Sequence, residues 1–398
     1  MTPNAVNAGT HIGADNSANS NSELLDSLQQ AASRFAREQL LPKYLARDKE
    51  HCFDRALMRQ MGTLGLLGAD LPEAHGGLGL GTLASGMIGE ALAYGDFNIG
   101  AYVCSTVSVL GRILEDNAAP ELAREWLPRI IRGEAIVGLG LTEPSGGSDA
   151  ASLRTRAVRK GDSYFISGEK TSISMAEQAD GFIVFARTGT QASRAKGVTA
   201  FFVPANAPGL TRTRFDDVGS RVVGRGSLFF DEVEVPLEHR IGDEGAGFRQ
   251  VMAGFDFNRA AIGLECCGSA QASLDETWAY INNRQSFGVK LAQHQGVSFP
   301  LADGEARIEA IRQLCYRTLR LRDAGQPHTK EAAMCKLLAP RTAYEVIRQC
   351  LLSHGHYGYS TDSPHQQRMR DVMGLEIGDG TAQIMMMVIA REKSAQLG

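Results

Sequence analysis

Aromatic residues are scarce: they make up 7% of the 398 residues, with only two tryptophans, Trp126 and Trp278. No Cys-x-x-C pair occurs among the seven cysteines, whose odd number argues against a disulfide framework and for buried or free thiols. No block of Lys and Arg appears, and 41 basic against 45 acidic residues leave a net charge of −4, which excludes a phosphate-backbone binder. Long apolar runs are also missing. The most notable, Ile384 to Ala390, falls far short of the roughly 20 residues a bilayer demands. The first 22 residues lack both the basic start and apolar run of a signal peptide and the arginines of a transit peptide. Their Asn, Ala, Ser and Gly content predicts a disordered tail, and the default expectation is a soluble cytoplasmic protein.

What is present is ordinary for a large globular chain, with 43% hydrophobic residues and enough length for two or three domains. Glycine is in excess at 44 residues and follows no three-residue period. From residue 23 to about 135 the pattern is helical. Leu24, Leu28, Ala31 and Phe35 share one helix face, and Ser20 with Glu23 has the spacing of a capping box. From 136 to 246 the period shifts to two in short β-rich runs separated by Gly, Asp, Asn and Pro, which predicts a small antiparallel barrel or sandwich. From 247 to 398 it is helical again, over roughly 249–282, 289–324, 329–353 and 382–396, a pattern that suggests a bundle. Pro300 and Pro340 should kink or break two of these helices.

Individual motifs leave alternatives open. The run Gly76-Gly77-Leu78-Gly79-Leu80-Gly81 has neither dinucleotide-loop spacing nor a preceding strand, so a tight surface turn is the better reading. His354-x-His356 lacks further ligands at metal-site spacing, which leaves packing or hydrogen bonding at a helix end; no metal is expected. Thr142 to Asp149 is a loop of small and hydroxylated residues that could take an anion or a flavin edge, or be a plain loop. Arg284-Gln285-Ser286-Phe287-Gly288 sets a cation and an aromatic at a helix break, for a phosphate or for a surface salt bridge. Ile377-Gly378-Asp379-Gly380-Thr381 holds a carboxylate between two glycines, either open to a ligand or a capped helix start.

Taken in order, the motifs 72–77, 141–149, 166–170, 242–248, 255–259, 284–288 with His294-Gln295, and Arg370-Asp371 with 377–381 resemble the acyl-CoA dehydrogenase family over residues 24–398. The resemblance implies an α+β multidomain protein: an N-terminal α-helical domain (23–135), a middle antiparallel β domain (136–246) and a C-terminal four-helix bundle (247–398). It implies FAD as cofactor and α,β-dehydrogenation of an acyl-CoA thioester. A carboxylate takes the α-proton while the β-hydrogen leaves as hydride to flavin N5. Leu139, Leu141, Thr142, Gly147 and Ser148 match the family's flavin and pyrophosphate loop, and Ser172 and Ser174 positions flanking the flavin ring. Arg284, Phe287, His294 and Gln295 match an edge that reaches the FAD of a neighbouring subunit, and Thr381 and Gln383 match adenosine contacts. Phe255, Asn258 and Arg259, with Ser148, Gly378 and Gly380, match the substrate channel, and Asp379 falls on the catalytic base. The resemblance further implies a homotetramer, a dimer of dimers, that passes electrons to an electron-transfer flavoprotein.

The departures from the family pattern bear on specificity. The usual Glu base is Asp379, one methylene shorter, and the position some members use instead is Asn258, which cannot act as a base. The Tyr before the base is Gly378, the flavin-side Trp is Ser172, its Thr neighbour is Ser174, and a Gln elsewhere is Leu352. Lost bulk suits a ring or branched acyl group, and the pattern is most similar to the cyclohexanecarboxyl-CoA dehydrogenase branch. Alternatives are a flavin oxidase of the nitroalkane oxidase kind, a dehydrogenase of carrier-protein-bound acyl groups, and a flavin-binding protein without catalysis.

Overall fold

A computed structural model describes residues 12–51 and 53–396. Its first layer is helical: α1 (Ile12–Phe35), α2 (Tyr44–Glu50), α3 (Arg55–Thr63), α4 (Thr82–Gly95), α5 (Phe97–Ala101), α6 (Val109–Asn117) and α7 (Pro120–Ile131). α1 begins at Ile12, so the tail expected for residues 1–22 is corrected over 12–22, and Ser20 and Glu23 lie inside the helix rather than at its start. Residues 1–11 and Cys52 lie outside the described residues. The buried stripe of this region is Leu28, Ala32, Phe35 and Ala36, while Leu24 stays exposed. The helical stretch Phe97–Asn117, wider than α5 and α6, is long and apolar enough to span a bilayer, yet 83% of its 18-residue apolar window is buried, so here it is core. It includes a widened turn, Tyr102–Ser108.

The middle layer is one eight-stranded sheet. Its strands are β1 (Val137–Gly140), β2 (Arg156–Lys160), β3 (Ser163–Ile173), β4 (Gly181–Arg187), β5 (Val198–Pro204), β6 (Leu210–Arg214), β7 (Gly226–Pro236) and β8 (Arg240–Ile241). Their order is β6-β7-β3-β2-β4-β5-β8, with β1 beside β4. Most pairs are antiparallel, but β1 and β2 both run parallel to β4, so the sheet is mixed where pure antiparallel pairing was expected. β4 is buried at every position, which is why its sequence reads as a continuous apolar run rather than an alternation.

The last layer opens with α8 (Gly247–Asn283). A two-strand hairpin, β9 (Gln285–Ser286) and β10 (Val289–Lys290), follows, so the helix expected from 289 instead starts as α9 (Gln295–Asp323). α10 (Thr329–Ser353), α11 (Pro364–Met373) and α12 (Ala382–Ala395) complete the chain. Pro300 and Pro340 do not break α9 and α10. Interior proline costs about 3 kcal/mol, and burial of Ala332, Cys335, Ala339, Ala343 and Ile347 along α10 outweighs it. α8, α9 and α10 pack together, and α4 of the first layer lies against α8 and α9. α12 sits on α10, with Met385 and Val388 clustered with Ala333. The six described cysteines are free and buried. His354 stacks on Tyr280 with ring centres 4.3 Å apart, a packing role at the end of α10.

One carboxylate joins all three layers. Asp371 on α11 accepts hydrogen bonds from Tyr44 Oη (2.6 Å), Asn98 Nδ2 (3.1 Å) and the Ser220 backbone N–H (2.6 Å). Burial pushes its carboxyl up to about 7, against the pull of the Tyr44 hydroxyl and the Ser220 N–H. Asp371→Ala leaves three donors without their acceptor. It should cost about 3 kcal/mol or more, read as a lower urea midpoint at unchanged slope.

Candidate active site

The loop after β1 is held by a buried ion pair. Lys170 Nζ on β3 donates to Glu143 Oε1 (2.8 Å) and to the Leu141 carbonyl (3.0 Å), and Lys170 is fully buried. Glu143 also accepts the backbone N–H groups of Arg154 (2.6 Å) and Thr155 (2.8 Å). Burial works against its charge, but Lys170 and these donors hold its carboxyl below the usual range. Burial draws the Lys170 ammonium down to about 8, against the pull of Glu143.

This anchoring brings two sequence motifs together. The Thr171 N–H donates to the Thr142 carbonyl at 2.9 Å. A Cβ on Gly138 would stand 3.1 Å from the Ser174 carbonyl. Leu139, Leu141 and Thr142 therefore lie beside Ser172 and Ser174, both exposed. Ser172 has a left-handed φ of 60° where β3 slips register against β7. Gly147 and Ser148 lie in the exposed loop beyond, where a Cβ added at Gly146 would meet nothing within 4 Å. The site thus offers an open shelf of hydroxyls and backbone on a rigid support.

A second cluster forms around Asp379, in the turn before α12. Asn258 Nδ2 on α8 donates to Asp379 Oδ2 at 3.2 Å, and Ser105 Oγ donates to Asn258 Oδ1 at 2.7 Å. The amide is thereby oriented by one partner and presented to the other. Buried Lys336 on α10 donates to the Gly380 carbonyl (3.0 Å) and to the Leu375 carbonyl. That ties down both ends of the Asp379 turn, where Asp379 and Gly380 have φ of 54° and 102°. Arg259 is paired to Asp256 at 2.8 Å. Burial raises the Asp379 carboxyl above the usual aspartate range, while Lys336, Arg259 and Asn258 pull it back. A carboxylate held this way is a stronger base than one in water.

The remaining residues fall into two groups. Phe255 sits one turn before Asn258 on α8, Gly378 is exposed, and Thr381 caps α12 by accepting the Ile384 N–H, so the helix-start reading of that motif also holds. Gln383 is exposed in the first turn of α12. Arg284, Phe287, His294 and Gln295 join neither cluster within this chain. Phe287 is 95% exposed at the hairpin tip with φ of 51°, its ring T-shaped to that of His294 with centres 6.3 Å apart.

Sequence reading missed Ser105, Lys336 and Glu265, and did not pair Glu143 with Lys170. Lys336 and Glu265 carried one signal, a charged residue inside an otherwise apolar helical pattern. Lys170→Ala should cost about 3–5 kcal/mol by stranding Glu143. Equilibrium unfolding checks it, and Lys160→Ala, an exposed pair to Glu232, should change stability by less than about 1 kcal/mol.

Family models for the acyl-CoA dehydrogenase N-terminal, middle and C-terminal domains match residues 22–134, 138–233 and 245–393. The short-chain specific acyl-CoA dehydrogenase of rat mitochondria is 36% identical over 365 residues, which is 91% of this chain and 88% of that protein. Butyryl-CoA dehydrogenase from Megasphaera elsdenii superposes with a TM-score of 0.89 at 31% identity, covering 92% of this chain and 97% of that one. A glutaryl-CoA dehydrogenase from Mycobacterium smegmatis in complex with FADH2 gives a TM-score of 0.87 at 25% identity over 93% and 94% of the two chains. With its three layers and its anchored loop in family order, the chain belongs to the acyl-CoA dehydrogenases, FAD-dependent oxidoreductases of acyl-CoA thioesters.

Proposed function

We propose that the enzyme dehydrogenates a cyclic or α-branched acyl-CoA, of the cyclohexanecarboxyl-CoA kind, with Asp379 as the base that removes the α-proton. The observation that carries this reading is the Asp379 turn itself. Its carboxylate is partly desolvated, oriented by Asn258, and flanked by Gly378, beside which an added Cβ would meet nothing closer than 3.4 Å. A ring needs width next to the base, and Gly378, Ser172 and Ser174 leave it. The shorter reach of Asp is offset by position, since Lys336 holds the turn through the Gly380 and Leu375 carbonyls.

FAD fits the shelf on the middle layer. Leu139, Leu141, Thr142, Gly147 and Ser148 would hold it with Ser172 and Ser174, through backbone groups and hydroxyls that are open and rigidly backed. Bound there, FAD supplies the acceptor for the β-hydrogen. The chain's own part is to fix the thioester through Phe255, Asn258, Arg259, Ser148 and Gly380 and to hold the α-proton within reach of Asp379. Arg284, Phe287, His294 and Gln295 would complete the FAD site of a neighbouring copy in a homotetramer, with Thr381 and Gln383 at the adenosine end. An almost fully exposed phenylalanine at a hairpin tip suits burial in such a contact. Electrons would pass on to an electron-transfer flavoprotein.

Anaerobic flavin bleaching tests the substrate class. Cyclohexanecarboxyl-CoA and isobutyryl-CoA should bleach faster than butyryl-CoA, octanoyl-CoA or glutaryl-CoA, and a straight-chain preference overturns the reading. A nitroalkane bleaching in place of every thioester would instead favour an oxidase. Asp379→Asn should lower the bleaching rate by at least about 1,000-fold. Its thermal midpoint at pH 7 should stay equal or rise. The folded state raises this carboxyl, so it binds a proton more tightly than the unfolded chain does. Ionised Asp379 therefore costs stability as pH climbs from the unfolded value through the folded one, and Asn removes that cost. The wild-type rate should rise with pH through a value above the ordinary aspartate range.

A further inference from the structure

Glu265 is a carboxyl that belongs to neither the flavin shelf nor the Asp379 hydrogen-bond cluster. It lies on α8, is fully buried, and among the described residues neither of its oxygens has an oxygen or nitrogen partner; the one group within reach is the weakly donating Cys104 thiol. Such a group is expensive in a protein interior, and a fold that keeps one gives it a partner from elsewhere. Its surroundings say where that partner comes from. Glu265 is seven residues beyond Asn258, so the two share one face of α8, about 10 Å apart along the axis. Helical side chains lean toward the N-terminus, which brings the Glu265 carboxyl back toward Asn258 and the reacting end. The same widened turn, Tyr102–Ser108, faces both: Ser105 bonds Asn258, and neighbouring Cys104 lies against Glu265, its thiol shared between that carboxyl and the Ser85 carbonyl at 3.4 Å. Asp379 is near enough that its charge acts on Glu265.

We propose that Glu265 stands at the inner end of the acyl cleft and selects acyl groups that carry a hydroxyl or carbonyl oxygen at that depth. This rests on the ring-substrate reading above and deepens it: the acyl group is an oxygenated ring rather than a plain hydrocarbon. Burial, and then the Asp379 charge, push the Glu265 carboxyl up to about 8. At neutral pH Glu265 therefore keeps its proton. A neutral carboxyl has one donor and one free acceptor, which is what a hydroxyl group complements, and it forms one donor bond to a carbonyl. A positively charged tail finds no carboxylate there, and a purely apolar tail leaves the carboxyl with no partner better than the Cys104 thiol. Asp379 and Glu265 thus divide two roles between two acids, one to take the α-proton and one, neutral, for recognition.

The spacing suits an oxygen roughly four to six bonds beyond the thioester carbon, as in a 4-substituted cyclohexane ring. The test compares holoenzyme with 4-hydroxycyclohexanecarboxyl-CoA and cyclohexanecarboxyl-CoA, and with 6-hydroxyhexanoyl-CoA and hexanoyl-CoA, reading binding and single-turnover flavin reduction anaerobically. Wild type should favour the hydroxylated member of a pair by about tenfold or more in rate over affinity. Glu265→Leu should erase or reverse that preference, and Glu265→Gln, which keeps a donor and an acceptor, should retain part of it. If wild type favours the plain member, or if the preference survives Glu265→Leu, the assignment to Glu265 fails. The two readings fail separately. Reduction by both straight-chain thioesters and by neither ring overturns the ring substrate, while the straight-chain pair still decides the role of Glu265. Where Glu265→Leu does not fold, the wild-type comparison within each pair decides alone.

Discussion

The structure hangs on one helix that has no solvent face. From Phe257 to Leu274, α8 buries nearly every side chain, because α4, α9, α10 and the widened turn at Tyr102–Ser108 press on it from different sides. A helix apolar all round can be stable only inside a molecule, so burying α8 forces the first and third layers together. Small residues make the close approaches. A Cβ on Gly268 would stand 2.3 Å from the Glu90 carbonyl, and one on Gly263 2.3 Å from Cys315 Sγ. Any polar residue on this helix must find its partner within reach or go without. Asn258 finds Ser105 and Asp379, Arg259 finds Asp256, and Glu265 finds no more than the Cys104 thiol among the described residues. The chemistry of the site follows from that packing.

Two further buried polar contacts set where the site lies. Asp371 links α11 to Tyr44 and Asn98 of the first layer and to Ser220 of the middle layer. The Glu143–Lys170 pair fixes the loop after β1 against β3. Neither adds much net stability over an apolar substitute, since desolvation offsets most of the attraction. Their value is in geometry: a misplaced layer would strand donors and charges, so the layers have one arrangement. The shelf on the middle layer and the turn that carries Asp379 are built from separate parts of the chain and held rigid by separate anchors.

Much of the fold was legible in the chain. The three-layer order follows from the change of period near residues 135 and 247, and α10 spans 329–353 as its pattern indicates. Legibility failed where tertiary packing overrides local rules. Pro340 stays in an unbroken helix, and the hairpin at 285–290 interrupts a run that reads as helical. In the site, Asp379, Asn258 and Arg259 stood out as motif residues. Ser105, 153 positions from Asn258, did not, because a serine in an apolar stretch gives no sign of which residue it will orient. Lys336 and Gly380 are likewise 44 positions apart, and nothing in either neighbourhood names the other.

By itself, then, the amino-acid sequence determined the kinds of layers, their order, the family and the chemical types at the motif positions. Those properties are local, written in periodicity, turn residues and short motifs. Only the tertiary structure decided which groups are charged and which are paired. Asp379 and Glu265 are both acids in sequence, but one lies beside Lys336, Arg259 and an amide donor, and the other is buried near Asp379 with only a thiol, that of Cys104, for a donor. Protonation depends on burial and on neighbouring charge, and both are set by residues far away along the chain.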